Sequence, residues 1–238
     1  MMIQENEKKR ITKLSKNNKY SYGVNKNAIE YAYNLYKNFF RKGSILEVGP
    51  GEGIGTGIIY DDFLDYTIID GSSDFCNTLK IQFPNINTIN KLFEEFKTEK
   101  KYDNIILGHV LEHVIDPISI IKKYKGFLSE NGRMFANVPN AFSIHRQAAV
   151  LMGLLIDEHQ INETDVQHGH RRVYDPYSFR NDFLKAEMKI EFFGGFWLKP
   201  LSNKQIEDNW TNEMIRSFMV LGEKYVDIAA EIYIIGKQ

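Results

Sequence analysis

The apolar pentapeptide Ser44-Ile45-Leu46-Glu47-Val48 runs without a break into Gly49-Pro50-Gly51-Glu52-Gly53. A run of that length reads as a buried strand, since a helix needs about ten residues or more. Glycines directly after a strand let the backbone turn tightly and approach a ligand where a Cβ would clash. A chain with this feature is constrained towards an open sheet that binds a ligand at one strand end. The flanking pattern agrees. Apolar residues Tyr31, Tyr33, Leu35, Phe39 and Phe40 predict a helix over 27–40, closed by Gly43. Downstream, strands are expected at Tyr66–Ile69, Asn87–Asn90, Asn104–Leu107 and Arg133–Val138. A helix is expected over Pro117–Leu128, with a turn at Glu130-Asn131-Gly132. Strands alternating with helices imply an α/β, doubly wound, mostly parallel sheet with helices on both faces. Ligands of such sheets sit at the carboxyl ends of the strands.

After Pro139 the rhythm breaks. Residues 141–172 hold an apolar helix candidate and then a stretch dense in His, Asp and Glu. The βα pattern returns with a helix over 176–188, a strand over 189–193, one long helix over 203–225 and a closing strand over 230–235. We therefore expect a single domain over 1–238, with 141–172 inserted as a substrate cap. The apolar run Ala148–Ile156 is expected to be cap core or a subunit contact, which leaves room for a homo-oligomer; it is too short to span a bilayer.

The glycine register narrows the ligand. The dinucleotide fingerprint G-x-G-x-x-G fails from each start, because Ile54, Thr56 and Ile58 occupy the third glycine position. That weakens a nicotinamide dehydrogenase reading. What fits is acid-x-G-x-G-x-G, from Glu47 through Gly49 and Gly51 to Gly53. Asp70 ends the next strand, 21 positions after Gly49, where a carboxylate can accept from both ribose hydroxyls. A third block, Tyr102 to Pro117, carries a strand into Gly108 and His109 and then reaches Asp116-Pro117, a helix cap followed by its favoured first residue.

These three blocks, over about 44–139, resemble class I S-adenosylmethionine-dependent methyltransferases, in particular the small-molecule subgroup that includes the ubiquinone-type enzymes. The resemblance implies a Rossmann-like, seven-stranded sheet with the last strand antiparallel, and S-adenosyl-L-methionine as cofactor. It places Glu47, Gly49, Gly51 and Gly53 at the methionine end of the cofactor, Asp70 at the ribose and Gly108 nearby. One position departs from the pattern. Leu92 stands where the family often has an acid for adenine, so packing against Leu92 or Phe93 is the expected contact.

A sulfonium methyl reacts by in-line displacement, so the protein mainly aligns a nucleophile and excludes water. A hydroxyl acceptor also needs a base. His109, just past a strand end, is the candidate base, and His113 lies further along the same loop. The string His109-Val110-Leu111-Glu112-His113 matches H-x-x-E-H, but zincin ligands need one face of a continuous helix, so no metal is expected. In the cap, His145, Arg146, His168, His170, Arg171 and Tyr174 are the expected acceptor contacts, with the arginines as an anion grip.

Composition sets the remaining bounds. Net charge is −1, and the basic lead-in (Lys8, Lys9, Arg10, Lys13, Lys16, Lys19) reads as solvated, so no nucleic-acid partner is expected. No N/D-P-P-Y/F motif follows the fourth strand. One cysteine, Cys76, forbids an intrachain disulfide, and no signal pattern or membrane segment is expected; both fit a cytoplasmic protein. The expected activity is O-methylation of a small polar biosynthetic intermediate, such as a sugar or an anionic metabolite. N-methylation of a small amine and a non-catalytic nucleotide-binding scaffold are the alternatives.

Overall fold

The structure is a computed structural model that describes residues 2–17 and 22–238. Its centre is a seven-stranded sheet in the order β3-β2-β1-β4-β5-β7-β6. The strands are β1 (Ser44–Val48), β2 (Asp65–Asp70), β3 (Asn87–Asn90), β4 (Tyr102–Gly108), β5 (Leu128–Pro139), β6 (Lys189–Phe196) and β7 (Glu231–Lys237). β1 to β5 run parallel, and β7 lies antiparallel between β5 and β6. This is the Rossmann-like arrangement of the expected family. β1 is buried at all five positions, as a strand covered on both faces must be.

Helices fill both faces. One core joins Leu46, Val48, Ile105 and Leu107 with Ile120 and Tyr124 of α5 (Pro117–Lys125) and Phe179 and Phe183 of α8 (Pro176–Lys185). The other joins Ile45, Ile68, Ile106 and Phe135 with Tyr33 and Tyr36 of α2 (Gly23–Lys37) and Ile206 of α9 (Asn203–Asn209). α3 (Ile54–Ile59) and α4 (Ser73–Gln82) follow the first two strands. No helix among the described residues is long and apolar enough to cross a membrane.

Four local expectations change. The basic lead-in forms α1 (Met2–Asn17), because Ile11 and Leu14 have a cleft to cover; Lys19 lies outside the described residues, as does the side chain of Lys16. The expected turn Glu130-Asn131-Gly132 is absorbed into β5, where the register jumps from Tyr102↔Leu128 to Asn104↔Arg133. The long helix over 203–225 is two, α9 and α10 (Asn212–Gly222). Trp210 between them is extended, and the Thr211 hydroxyl caps the second helix by accepting from Met214 N–H. Finally, 141–172 contains α6 (Ile144–Leu151) and α7 (Glu163–His168), but Leu151, Met152, Leu154 and Ile156 are exposed, not core. The chain leaves α6 after Leu151, and no described element covers these side chains.

Candidate active site

The carboxyl ends of β1, β2 and β4 open into one cleft of about 1320 Å³, part of it open to solvent. Gly49, Gly51, Asp70, Leu92, Phe93, Gly108, His109, His113 and His168 line it, all of them singled out in the sequence. Gly51 has φ +58, and a Cβ there would meet nothing within 4 Å. The backbone therefore leaves room for a ligand at that point. Asp70 is buried, and its Oδ1 accepts from Ser72 N–H at 2.7 Å. Burial raises its pKa to about 7, against backbone hydrogen bonds from Ser72 and Gly51 that lower it. Ribose hydroxyls would supply the donors that this carboxylate lacks.

Two expected cofactor contacts do not line the cleft. Glu47 is fully buried and accepts from Tyr33 OH at 2.5 Å, Thr56 OH at 2.7 Å and Tyr66 OH at 2.6 Å. It braces the glycine loop from behind. Gly53 has φ +81, and a Cβ there would stand 2.6 Å from Leu79, so it serves packing of α3 against α4. Sequence reasoning also missed the roof. Glu7, Arg10, Ile11 and Leu14 of α1 line the cleft. Arg10 donates to Gly169 O, and Glu7 accepts from Arg171 at 2.6 Å, which ties α1 to the chain after α7. An amphipathic pattern in the lead-in was the available signal.

His109 is built into a network. It has φ 52, an uncommon backbone conformation for a residue with a side chain, fixed by donation of its N–H to Asn137 O at 3.0 Å. Its Nδ1 lies 3.1 Å from Glu112 Oε1. Its Nε2 lies 2.7 Å from Asn137 Nδ2 and 3.5 Å from Glu231 Oε2. Tyr36 OH donates to Asn137 Oδ1 at 2.9 Å, which turns the amide NH₂ towards the imidazole. Nε2 then accepts, and Nδ1 carries the proton towards Glu112. Burial lowers the His109 pKa, but Glu231 and Glu112 outweigh it and the net shift is upward. Burial alone would raise Glu112; hydrogen bonding to His109 and the charges of the neighbouring histidines hold it down at about 2.

The other histidines divide. His113 Nδ1 faces Gly169 O at 3.2 Å, and His170 Nδ1 faces Asp165 Oδ1 at 3.2 Å. Ligand atoms of Glu112, His113 and His170 all lie within 4.8 Å of one another, close enough to converge on one ion, although 109–113 form turns rather than the helix of a zincin. His145 sits on α6 outside the cleft lining.

The expected arginine grip does not form. Arg146 donates to Glu158 O at 2.8 Å, to Gln160 O, and to Asp165 Oδ2 at 3.3 Å. Arg171 donates to His113 O at 2.8 Å and to Glu7. Arg172 donates to Leu111 O, Val114 O and Ile115 O. Each guanidinium stitches loops together, since irregular backbone leaves carbonyls that need donors. Tyr174 OH likewise donates to Asp182 at 2.8 Å and stands clear of the cleft.

The profile of the methyltransferase domain family matches residues 22–191. The chain belongs to that family. Among curated proteins, the ubiquinone biosynthesis O-methyltransferase of Rickettsia felis is 24% identical over 193 residues, covering 79% of this chain and 76% of that protein. Among solved structures, an S-adenosylmethionine-dependent methyltransferase from Thermotoga maritima superposes with a TM-score of 0.63 at 13% identity, over 98% of this chain and 94% of its own. The N-methyltransferase NodS of Bradyrhizobium japonicum, in complex with S-adenosylhomocysteine, gives a TM-score of 0.58 at 10% identity, over 90% and 87%. The chain is an S-adenosylmethionine-dependent methyltransferase. The cleft fits that cofactor: an open glycine turn at Gly51, a buried carboxylate short of donors at Asp70, and apolar Leu92 and Phe93.

Proposed function

We propose that this methyltransferase O-methylates a small polar biosynthetic intermediate, such as a sugar or an anionic metabolite. The observation that carries this is His109, held in the cleft wall between two carboxylates. Bound S-adenosylmethionine supplies an electrophilic methyl group. The protein's part is to position the acceptor hydroxyl and take its proton. Nε2 of His109 accepts that proton, in place of its hydrogen bond from Asn137. Glu112 at Nδ1 and Glu231 beside Nε2 then stabilise the imidazolium, at 3.1 Å and 3.5 Å. Glu112 also fixes the tautomer. Gly49, Gly51 and Asp70 line the cofactor end, and Glu47 braces the glycine loop from behind. Residues 141–172 and α1 cover the cleft as the cap and exclude water.

The experiment begins with calorimetric titration of S-adenosylmethionine and S-adenosylhomocysteine, with NAD as control. Both sulfur ligands should bind and NAD should not. A panel of sugars, hydroxy acids and amines is then assayed with wild type and His109→Ala. An amine acceptor needs only to be neutral, so a variant that keeps full turnover on an amine would replace the O-methyl reading with N-methylation. Folded protein that binds neither sulfur ligand would defeat the proposal.

A further inference from the structure

We propose that the acceptor site continues past His109 into an anion subsite formed by Lys199, His145 and Trp197, so that the acceptor carries a carboxylate or a phosphate besides the hydroxyl that is methylated. This rests on the O-methyltransferase reading above and adds the group by which the substrate is recognised.

The topology brings these residues to one edge. β4 ends at His109 and β5 ends near Asn137. β7 is antiparallel, so its first residue, Glu231, lies at the same edge, opposite Pro139 on one side and Phe196 on the other. Trp197 follows β6 there, and Ala230 N–H donates to its carbonyl at 2.8 Å. His145 sits in the first turn of α6. The His109 imidazole and the Glu231 carboxylate meet at 3.5 Å, and Lys199 is attracted to Glu231 from beyond it.

Lys199 differs from every cation the sequence had offered as an anion grip. Arg146, Arg171 and Arg172 are each committed to carbonyls, and two of them to carboxylates. Among the described residues, the close contact of the Lys199 ammonium is the ring of Trp197, 4.9 Å to its centroid, with no carboxylate at salt-bridge distance. Burial lowers its pKa to about 8, and it remains mostly protonated at neutral pH.

Around this ammonium the polar atoms are short of partners. Trp197 is 2% exposed, and its indole N–H has no acceptor among the described residues. The His145 Nδ1 is buried and has no hydrogen-bond partner among the described residues. Burial and the charges of Lys199 and Arg146 keep that imidazole neutral, with a pKa of about 2. Trp197 also holds φ 67, a costly conformation for a bulky residue, in the turn that leads from β6 to Lys199. A buried donor without a partner costs about 1–3 kcal/mol, and a ligand bound at the Lys199 ammonium would offer both of these groups a partner. An ammonium, an indole N–H and a neutral imidazole suit an oxyanion.

The test uses the full-length protein saturated with S-adenosylhomocysteine, titrated with inorganic phosphate, malonate and glycerol at constant ionic strength. Binding is read by calorimetry and by Trp197 fluorescence in a Trp210→Phe background. Phosphate or malonate should bind saturably and glycerol should not; the tighter of the two anions names the group. Lys199→Met should weaken that anion about tenfold or more, and Lys199→Arg should restore it to within about threefold. S-adenosylhomocysteine affinity should stay within about twofold in both variants. Equal anion binding in wild type and Lys199→Met would overturn the subsite, as would no saturable anion binding to cofactor-loaded wild type. Failure of S-adenosylhomocysteine itself to bind would strike the methyltransferase reading instead.

Discussion

The two halves of the sheet's carboxyl edge are built on opposite principles. On the β1–β2 side, Glu47 takes three hydroxyl donors from within the protein, and Asp70 takes backbone N–H groups and keeps capacity for the ribose hydroxyls. On the β5–β7–β6 side, Ser143, His145 and Trp197 each hold a buried polar atom with no hydrogen-bond partner among the described residues, and Glu231 Oε2 has only the ion pair with His109 at 3.5 Å. The first half is a rigid seat for a cofactor of fixed shape. The second is left incomplete, and in the proposed reading an acceptor completes it. Substitutions in the first half should therefore cost stability or cofactor affinity, and those in the second should cost turnover or acceptor affinity.

The largest expected effect is Glu47→Ala. It strands the hydroxyls of Tyr33, Thr56 and Tyr66, at about 1–3 kcal/mol for each buried donor. The sum is comparable with the whole stability of a domain, so denaturant melts should show a variant unfolded or barely folded. A variant with an unchanged midpoint would mean that the seat is not held from behind. Next is His109→Ala. Removing the base should lower turnover on a hydroxyl acceptor by about 10²–10⁴-fold, while S-adenosylhomocysteine affinity moves by less than about threefold. Equal losses in both would erase the division between the halves.

The contrast also explains what was legible in the sequence. The cofactor half comes from contiguous chain: a strand, its glycine turn, and the next strand's last residue. Local pattern reads such units well, and β1 and β3 stand at their expected bounds, Ser44–Val48 and Asn87–Asn90. The acceptor half gathers His109, Asn137, His145, Trp197, Lys199 and Glu231 from five separate stretches, and no local spacing joins them. Glu231 reaches the edge only because β7 runs antiparallel, a fact of topology rather than of its neighbours. The arginines misled for a related reason. Charge in a loop suggests a ligand, but irregular backbone consumes donors, and that demand is visible only in three dimensions. Glu47 is recognised by motif, but the motif names the residue and not the tyrosines that claim it, so its place behind the glycine loop is legible only in the fold.

Asp70 gives a smaller effect with a distinctive sign. Its carboxyl is raised from 3.8 to about 7, so below pH 7 the empty site holds it protonated, and it can then accept from only one ribose hydroxyl. S-adenosylhomocysteine affinity should rise with pH towards 7, by up to about tenfold per unit, and level off above it. The stability of the ligand-free protein should run the other way. The unfolded state releases this proton near pH 4 while the folded state keeps it, so the Asp70 contribution falls as pH climbs from 4 to 7. Asp70→Asn should weaken binding at pH 8 by about tenfold or more and remove both slopes. Parallel slopes in the variant and wild type would assign them to another group.

The smallest effect is the sharpest test of incompleteness. Ser143 precedes α6 as its N-cap residue, is fully buried, and makes no capping bond; its hydroxyl has no partner among the described residues. An ordinary N-cap Ser→Ala substitution costs about 1 kcal/mol. Here the hydroxyl loses nothing when it is removed and a desolvation cost disappears, so Ser143→Ala should leave the ligand-free protein unchanged or raise its stability by up to about 1 kcal/mol. The same substitution should weaken acceptor binding if that hydroxyl belongs to the acceptor's set of partners. A loss of 1 kcal/mol without acceptor would mean that the hydroxyl is already satisfied, and the acceptor half would then be as closed as the cofactor half.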